Sequence, residues 1–432
     1  MRFLRVAAGL FVLLASLLAA FVCSRATDPY LRPLPGYGLG FVVAVALLSA
    51  GLIWYRRPRS RLLWLAFLVW LAAPVALASA LISFDLDKRA VLEAAPDEVA
   101  LLGPHFITGY DEAGEAERLA QRGLIGGLFL TKHNIQGRTT AAMREEVAGF
   151  QALRREGALP ALIVAADQEG GIVSHLSPPL SRFPALSALA GLPAEERRTR
   201  AIRQGEEQGR ELAAIGVTLD LAPVVDLQAH KQNTLLDFES RIADRAISAD
   251  PEITGAVAVA FAQGLRTAGV GAAVKHFPGL GRVDGDTHHF RATLDAGRDD
   301  LESSDWLPFR AALDAGQSAL MVGHVVLSAV DPDRPASHSK AVIQGLIRDT
   351  WHHQGLIISD DMVMSAVYQH GLCTAVTEAL NAGVDLLLVA YDGRQYYKAM
   401  ACALTALHHG ELDRDMLAQS AQRLAIYRAG MH

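Results

Sequence analysis

The fold class that the sequence predicts is α/β: a (β/α)8 TIM-like barrel preceded by transmembrane helices. Three observations predict it. The long apolar runs all lie before Phe84, eight short aliphatic runs alternate with amphipathic segments after it, and a polar residue follows one run after another.

The membrane part comes first in the chain. Residues 6–22, 39–55 and 62–84 are apolar stretches that approach or exceed the roughly 17–25 residues needed to cross a hydrocarbon core. Arg2 and Arg5 precede the first, and Arg56, Arg57, Arg59 and Arg61 fill the link between the second and third. Basic residues beside spans favour the cytoplasmic side, so three crossings would place everything after Phe84 outside. Trp54, Tyr55 and Trp64 stand where interfacial aromatic belts form. A cleaved signal peptide followed by a buried apolar hairpin, or a lipoprotein modified at Cys23, are the competing readings. Against them, Val22 is not the small residue a lipidated cysteine requires, and the second and third stretches are too apolar for a soluble surface. The expected division is a membrane anchor over residues 1–90 and a second domain, the barrel, over 91–432.

Composition narrows the function classes. A formal net charge of −6 across 432 residues, with both signs mixed, leaves no basic stripe for nucleic acid. Cys23, Cys373 and Cys402 show neither zinc spacing nor an evident disulfide pair, so no bridge is expected.

After a polar link over residues 85–97, the runs expected as strands are 100–106, 127–131, 161–166, 217–221, 271–274, 319–322, 356–359 and 384–389. Between them the segments 141–156, 194–215, 251–268, 307–315, 341–353 and 374–382 read as helices, each long enough for a right-handed crossover. Eight strands suggest closure. A doubly wound sheet is the alternative, disfavoured because no Gly-x-Gly-x-x-Gly follows the first run.

Barrel active sites gather at the carboxyl ends of the strands. The residues just past the runs are Asp167, Asp226, Lys275 with His276, His324, Asp360 and Asp392. Asp360 could face the barrel axis as a nucleophile, and its neighbour Asp361, pointing the other way, is expected to cap the next helix. Lys275 and His276 run into Phe277-Pro278-Gly279-Leu280-Gly281, a turn through which the backbone could approach a ligand, and both side chains could donate to sugar hydroxyls. Asp286 and His288, two apart, could pair so that the carboxylate raises the basicity of the imidazole as a general acid/base. Asp284, Asp286, His288 and His289 could instead hold a metal, although their spacing is irregular. Asp167 could accept from adjacent hydroxyls, Glu169 is expected to be solvated or supporting, and Arg245 is a candidate fork donor.

These residues resemble glycoside hydrolase family 3, in particular its compact single-barrel β-N-acetylglucosaminidases acting on peptidoglycan fragments. The resemblance rests on ordered motifs from about Leu101 onward: Gly126-Gly127-Leu128-Phe129-Leu130 with Asn134, Asp167-Gln168-Glu169-Gly170-Gly171, Asp220-Leu221-Ala222-Pro223-Val224-Val225-Asp226, Arg245 before Asp250-Pro251, Lys275-His276-Phe277-Pro278-Gly279, Asp286-Thr287-His288 and Ser359-Asp360-Asp361-Met362. It implies a retaining exo-β-N-acetylhexosaminidase with Asp360 as nucleophile, His288 assisted by Asp286 as acid/base, and Asp167, Arg245, Lys275 and His276 holding the terminal sugar. It further implies a carbohydrate substrate, neither metal nor organic cofactor, and a monomeric catalytic domain. With the anchor, the expected place is a bacterial inner membrane, the catalytic domain facing the periplasm or exterior. Other β-glycosidases, phosphorylases or transglycosidases of the family, or a non-catalytic glycan-binding protein, stand as alternatives. Two positions leave the family pattern: Leu280 interrupts the usual Lys-His-Phe-Pro-Gly-His-Gly, and Ile172 stands where an arginine commonly follows the paired glycines.

Overall fold

A computed structural model describes residues 2–29, 36–56, 60–228, 240–283, 292–316 and 319–430. It forms two compact units, Met1–Glu93 and Ala94–His432.

The first unit consists of helices α1 (Arg2–Ser24), α2 (Gly36–Arg56) and α3 (Arg61–Glu93), each long and apolar enough to cross a membrane. Its interior is lined mostly by small residues, among them Ala19, Ala46, Ala50, Ala66 and Ala73, together with Ile53 and Trp70. Phe11, Leu18, Phe41, Leu48 and Val75 point outward. Large apolar side chains outside and small ones at the helix contacts are what a lipid surround selects, the reverse of a soluble bundle. The link expected over residues 85–97 is instead helical as far as Glu93, since its residues are mostly good helix formers and Asp85 pairs with Arg89 one turn on at 2.8 Å.

The second unit is the barrel. Its strands are β1 (Phe106–Thr108), β2 (Gly127–Leu130), β3 (Ile163–Ala166), β4 (Leu219–Asp220), β5 (Gly271–Phe277), β6 (Ala319–Val322), β7 (Leu356–Asp361) and β8 (Leu386–Val389). Neighbours pair in parallel throughout, and β8 closes on β1 with Phe106 opposite Leu387. Alternate residues such as Ile163 and Ala165, or Leu356 and Ile358, fill the interior. The barrel is thus a packed core and its chemistry is confined to the ends.

Outside it, helices Ala194–Ala214 and Pro251–Thr267 approach so closely that a Cβ on Gly205 would lie 2.1 Å from the carbonyl oxygen of Phe261. At the amino ends of the strands the buried Asp385 accepts from Arg348 (2.7 Å), Arg423 (2.8 Å) and the backbone N–H of Ile357 (2.7 Å). Those charges serve to hold the wall together.

Two expectations fail here. The run 100–106 is not a strand: Pro96–Leu102 is a helix with proline at its first turn, where the Glu98 carboxylate accepts from the Ala95 N–H at 3.0 Å, and only Phe106 begins β1. Cys373 and Cys402 are joined by a disulfide, with Cα atoms 4.9 Å apart. The chain passes through β8 between them, so helices Leu372–Ala382 and Gln395–His408 come to lie side by side. Sequence separation had concealed that proximity.

Candidate active site

Asp167 directly follows β3, where the chain turns into a small antiparallel pair, Gln168–Gly170 with Val173–Ser174. Gly170 sits at φ 86°, and a Cβ there would come within 2.6 Å of the Pro184 carbonyl oxygen, so glycine alone fits. Asp220, ending β4, anchors this turn by accepting from the Gln168 N–H at 3.0 Å and the Gln208 side chain at 2.9 Å. Burial pushes its carboxyl well up, against the pull of those two donors.

Near the end of β5, Lys275 is 2% exposed, yet its Nζ lies 2.5 Å from Asp167 Oδ1 and 2.7 Å from Glu169 Oε1. Arg245, from the short helix Ile242–Arg245, grips Glu169 with both prongs, Nε at 2.9 Å and an Nη at 2.6 Å. Its other Nη donates to the Ser240 carbonyl at 2.7 Å. Burial opposes every charge here, but the partners prevail. Arg245 and Lys275 hold Glu169 below the usual carboxylate range, while Asp167 and Glu169 hold the Lys275 ammonium above its ordinary value. Glu169 is therefore a buried support between two cations, and not solvated. The arginine fork is committed to it.

His276 places Nδ1 2.7 Å from Asp226 Oδ2, and Asp226 also accepts the backbone N–H groups of His276 (3.1 Å) and Leu280 (2.7 Å). An ionised carboxylate can only accept, which puts the ring proton on Nδ1 and leaves Nε2 as an acceptor, 3.3 Å from Arg245. Both ring nitrogens thus face partners within the network. Leu280 follows the turn with its side chain buried, held by its N–H rather than by any polar group of its own.

Strand pairing slips at two places, between Val274 and Phe277 on β5 and between Ile358 and Asp361 on β7. Such irregularities re-aim side chains at barrel rims. They bracket Lys275 with His276, and Asp360. Because Phe277 and Ser359 both pair with Val322, the two segments stand at the same barrel end, one strand apart.

Asp360 accepts the N–H of Asp361 at 2.8 Å. Asp361 itself accepts three backbone N–H groups, those of Val363 (3.0 Å), Ala390 (2.9 Å) and Tyr391 (2.8 Å). Its carboxyl is pushed up to about 6 by burial, with those donors resisting and the Asp360 charge adding to the rise. It does not cap a helix: Ser365–His370 begins after Met364 with no side-chain cap, because a turn intervenes. Asp361 is a tie between β7 and the loop after β8.

His324 is also structural, donating from Nε2 to the Asp361 carbonyl at 3.1 Å and accepting at Nδ1 from Ser337 at 2.7 Å. Asp392 binds Arg394 and Gln395 at the start of the next helix. Asp286 and His288 lie outside the described residues. One residue that sequence reasoning passed over is His175, half-exposed, with Nδ1 4.0 Å from Asp167 Oδ2. The paired glycines Gly170 and Gly171 are a hairpin signal that would have turned it back toward Asp167.

Asp167 is the member of the cluster that opens outward, with 22% of its side chain exposed. A rigid set of paired ions with one accessible carboxylate, beside a second carboxylate at Asp360, suits a ligand rich in hydroxyls.

The sequence pattern of the glycosyl hydrolase family 3 N terminal domain matches residues 99–426. A β-hexosaminidase of Nitrosomonas eutropha is 34% identical over 275 residues, 62% of this chain and 74% of that protein. Among solved structures, a family 3 β-N-acetylglucosaminidase from Paenibacillus sp. superposes with a TM-score of 0.70 at 27% identity, over 78% of this chain. This chain spans 62% of that protein, less than two thirds of its length. A family 3 glycosyl hydrolase from Mycobacterium smegmatis gives 0.66 at 29% identity, over 78% of this chain and 98% of its own.

Proposed function

Since this chain belongs to glycosyl hydrolase family 3 and is a glycoside hydrolase, we propose that it is a retaining exo-β-N-acetylhexosaminidase, removing terminal β-linked N-acetylglucosamine from glycans such as peptidoglycan fragments. The observation that carries the reading is the buried Asp167–Lys275–Glu169–Arg245–His276 network at the same barrel end as Asp360. Asp167, Lys275, His276 and Arg245 would hold and orient the terminal sugar. The printed activities of the Nitrosomonas and Paenibacillus proteins support the sugar class.

In the proposed sequence the Asp360 carboxylate attacks the anomeric carbon as the glycosidic C–O bond breaks. His288, paired with Asp286, gives its proton to the departing oxygen. Water then attacks the glycosyl-enzyme, His288 takes a proton from it, and Asp360 leaves as carboxylate. Configuration at the anomeric carbon is inverted twice and so retained.

The test uses the full chain in detergent with 4-nitrophenyl β-N-acetylglucosaminide. Wild type is expected to release nitrophenol without added phosphate, and His288→Ala to lower kcat by roughly 10²–10⁴-fold, the range for a positioned acid/base. The loss should be smaller with nitrophenol than with a sugar leaving group, which needs protonation more. An inert wild type, or turnover only with phosphate, would overturn the hydrolytic reading.

The proposal places the enzyme in a bacterial cell membrane with the barrel on the outer side, where peptidoglycan lies. Its support is the three apolar helices with their flanking arginines, and the Cys373–Cys402 bridge, a feature of oxidising compartments. An alkaline phosphatase fused after His432 should be active. Activity only from a reporter that works in the cytoplasm would reverse the topology.

A further inference from the structure

Near His324, three side chains converge from separate parts of the chain. His338 ends the short turn Ala336–His338 after β6, His370 ends helix Ser365–His370 after β7, and Glu378 lies in helix Leu372–Ala382. We propose that they form a binding site for one divalent transition-metal ion of the zinc type, a staple between the loops on either side of β7.

Their ligand atoms all lie within 4.8 Å of one another. Around an ion with bonds of about 2.0–2.1 Å, tetrahedral ligand atoms stand roughly 3.3 Å apart, so binding would rotate the side chains inward from the stacked arrangement of the His338 and His370 rings. The second, independent observation is His338 itself. It is 1% exposed, and among the described residues neither ring nitrogen has a hydrogen-bond partner. A buried polar group without a partner is costly and calls for one.

The other two ligands are already oriented. Glu378 is held by Arg334 at Oε1, 3.0 Å, and points Oε2 at His370 Nε2, 2.8 Å. An ion would sit between Oε2 and that ring, whose proton would move to Nδ1. Two imidazoles and a single carboxylate favour zinc and its neighbours over calcium or magnesium, which prefer sets of oxygens. With three protein ligands, a water or another group would complete the shell. Irregular spacing in the sequence gives no sign that these three residues meet.

The role would be to position. The His338 and His324 rings are 5.4 Å apart, and His324 donates to the Asp361 carbonyl, one residue from Asp360.

The experiment strips the full detergent-solubilised chain with chelator and measures uptake of ZnCl2 alone, with Co2+ absorption as a spectroscopic check. Wild type is expected to take up about one equivalent at this site. His370→Ala and Glu378→Gln should each weaken binding by at least the roughly 10–100-fold that losing even a supporting partner costs, and abolish the d–d bands. His288→Ala should leave uptake unchanged. Both substituted residues are half-exposed and on different helices, so loss in either variant, with the metal-free melting transition intact, supports the site. Equal affinity in wild type and both variants, no uptake by wild type, or loss through His288→Ala would overturn it.

Discussion

Asp360→Ala is expected to lower kcat for a β-N-acetylglucosaminide by roughly 10⁴–10⁶-fold, the loss seen when a covalent catalyst's reacting group is removed, with KM changed far less. The Asp167–Lys275–Glu169–Arg245 network would remain, since its ion pairs do not involve Asp360. The alanine leaves an opening on the face from which the carboxylate would attack. Azide placed there should therefore restore turnover and give the α-glycosyl azide, one inversion instead of two. The neighbouring carboxylate provides the contrast. Asp361→Ala strands three backbone N–H groups, so it should lower the melting temperature and gain nothing from azide. If Asp360→Ala keeps near wild-type turnover, or the azide product forms with Asp361→Ala instead, the nucleophile has been misassigned.

Glu169→Gln should have the largest effect on folding, about 3–5 kcal/mol, because it removes one partner of a buried ion network and leaves the others charged. Lys275 would keep Asp167, but Arg245 would lose a bidentate carboxylate in a site where its side chain is only 9% exposed. For a domain of this size that corresponds to a fall in melting temperature of roughly 5–15 °C.

The sign of its pH dependence is distinctive. The folded Glu169 carboxyl lies below its ordinary value of 4.5, so its contribution is fully present above that pH and is lost as pH falls toward the folded value. The gap between wild type and Glu169→Gln should therefore narrow below about pH 4.5. A gap that is constant down to strongly acidic pH would mean that packing, not charge, makes the difference.

What could be read in the sequence follows from the range of the forces involved. Seven of the eight barrel strands are legible because each is a short aliphatic run bounded by turn residues, and burial on both faces leaves no other pattern. The first is not, since Ala100-Leu101-Leu102 has the same apolar content as a strand, and only the proline and acids before it mark a helix. Site residues could be located one at a time from their place after a strand. Their partnerships could not, because Lys275 and Asp167 are 108 residues apart and Arg245 and Glu169 are 76 apart. Closing the barrel brings them together. The same applies to Cys373 with Cys402, and to His338 with His370 and Glu378.

One consequence of the network concerns what it would turn away. Asp167, Glu169, Lys275 and Arg245 carry two charges of each sign, so the formal sum is zero with each ion already matched. If Asp167 holds the substrate as proposed, an uncharged pyranose would meet its open edge without disturbing that neutrality. A uronic acid would bring a third anion beside Asp167, and to pair with Lys275 it would have to displace a carboxylate that is already in place. Discrimination between neutral and acidic sugars would then be built into the ground state of the empty enzyme, before any contact with substrate is made.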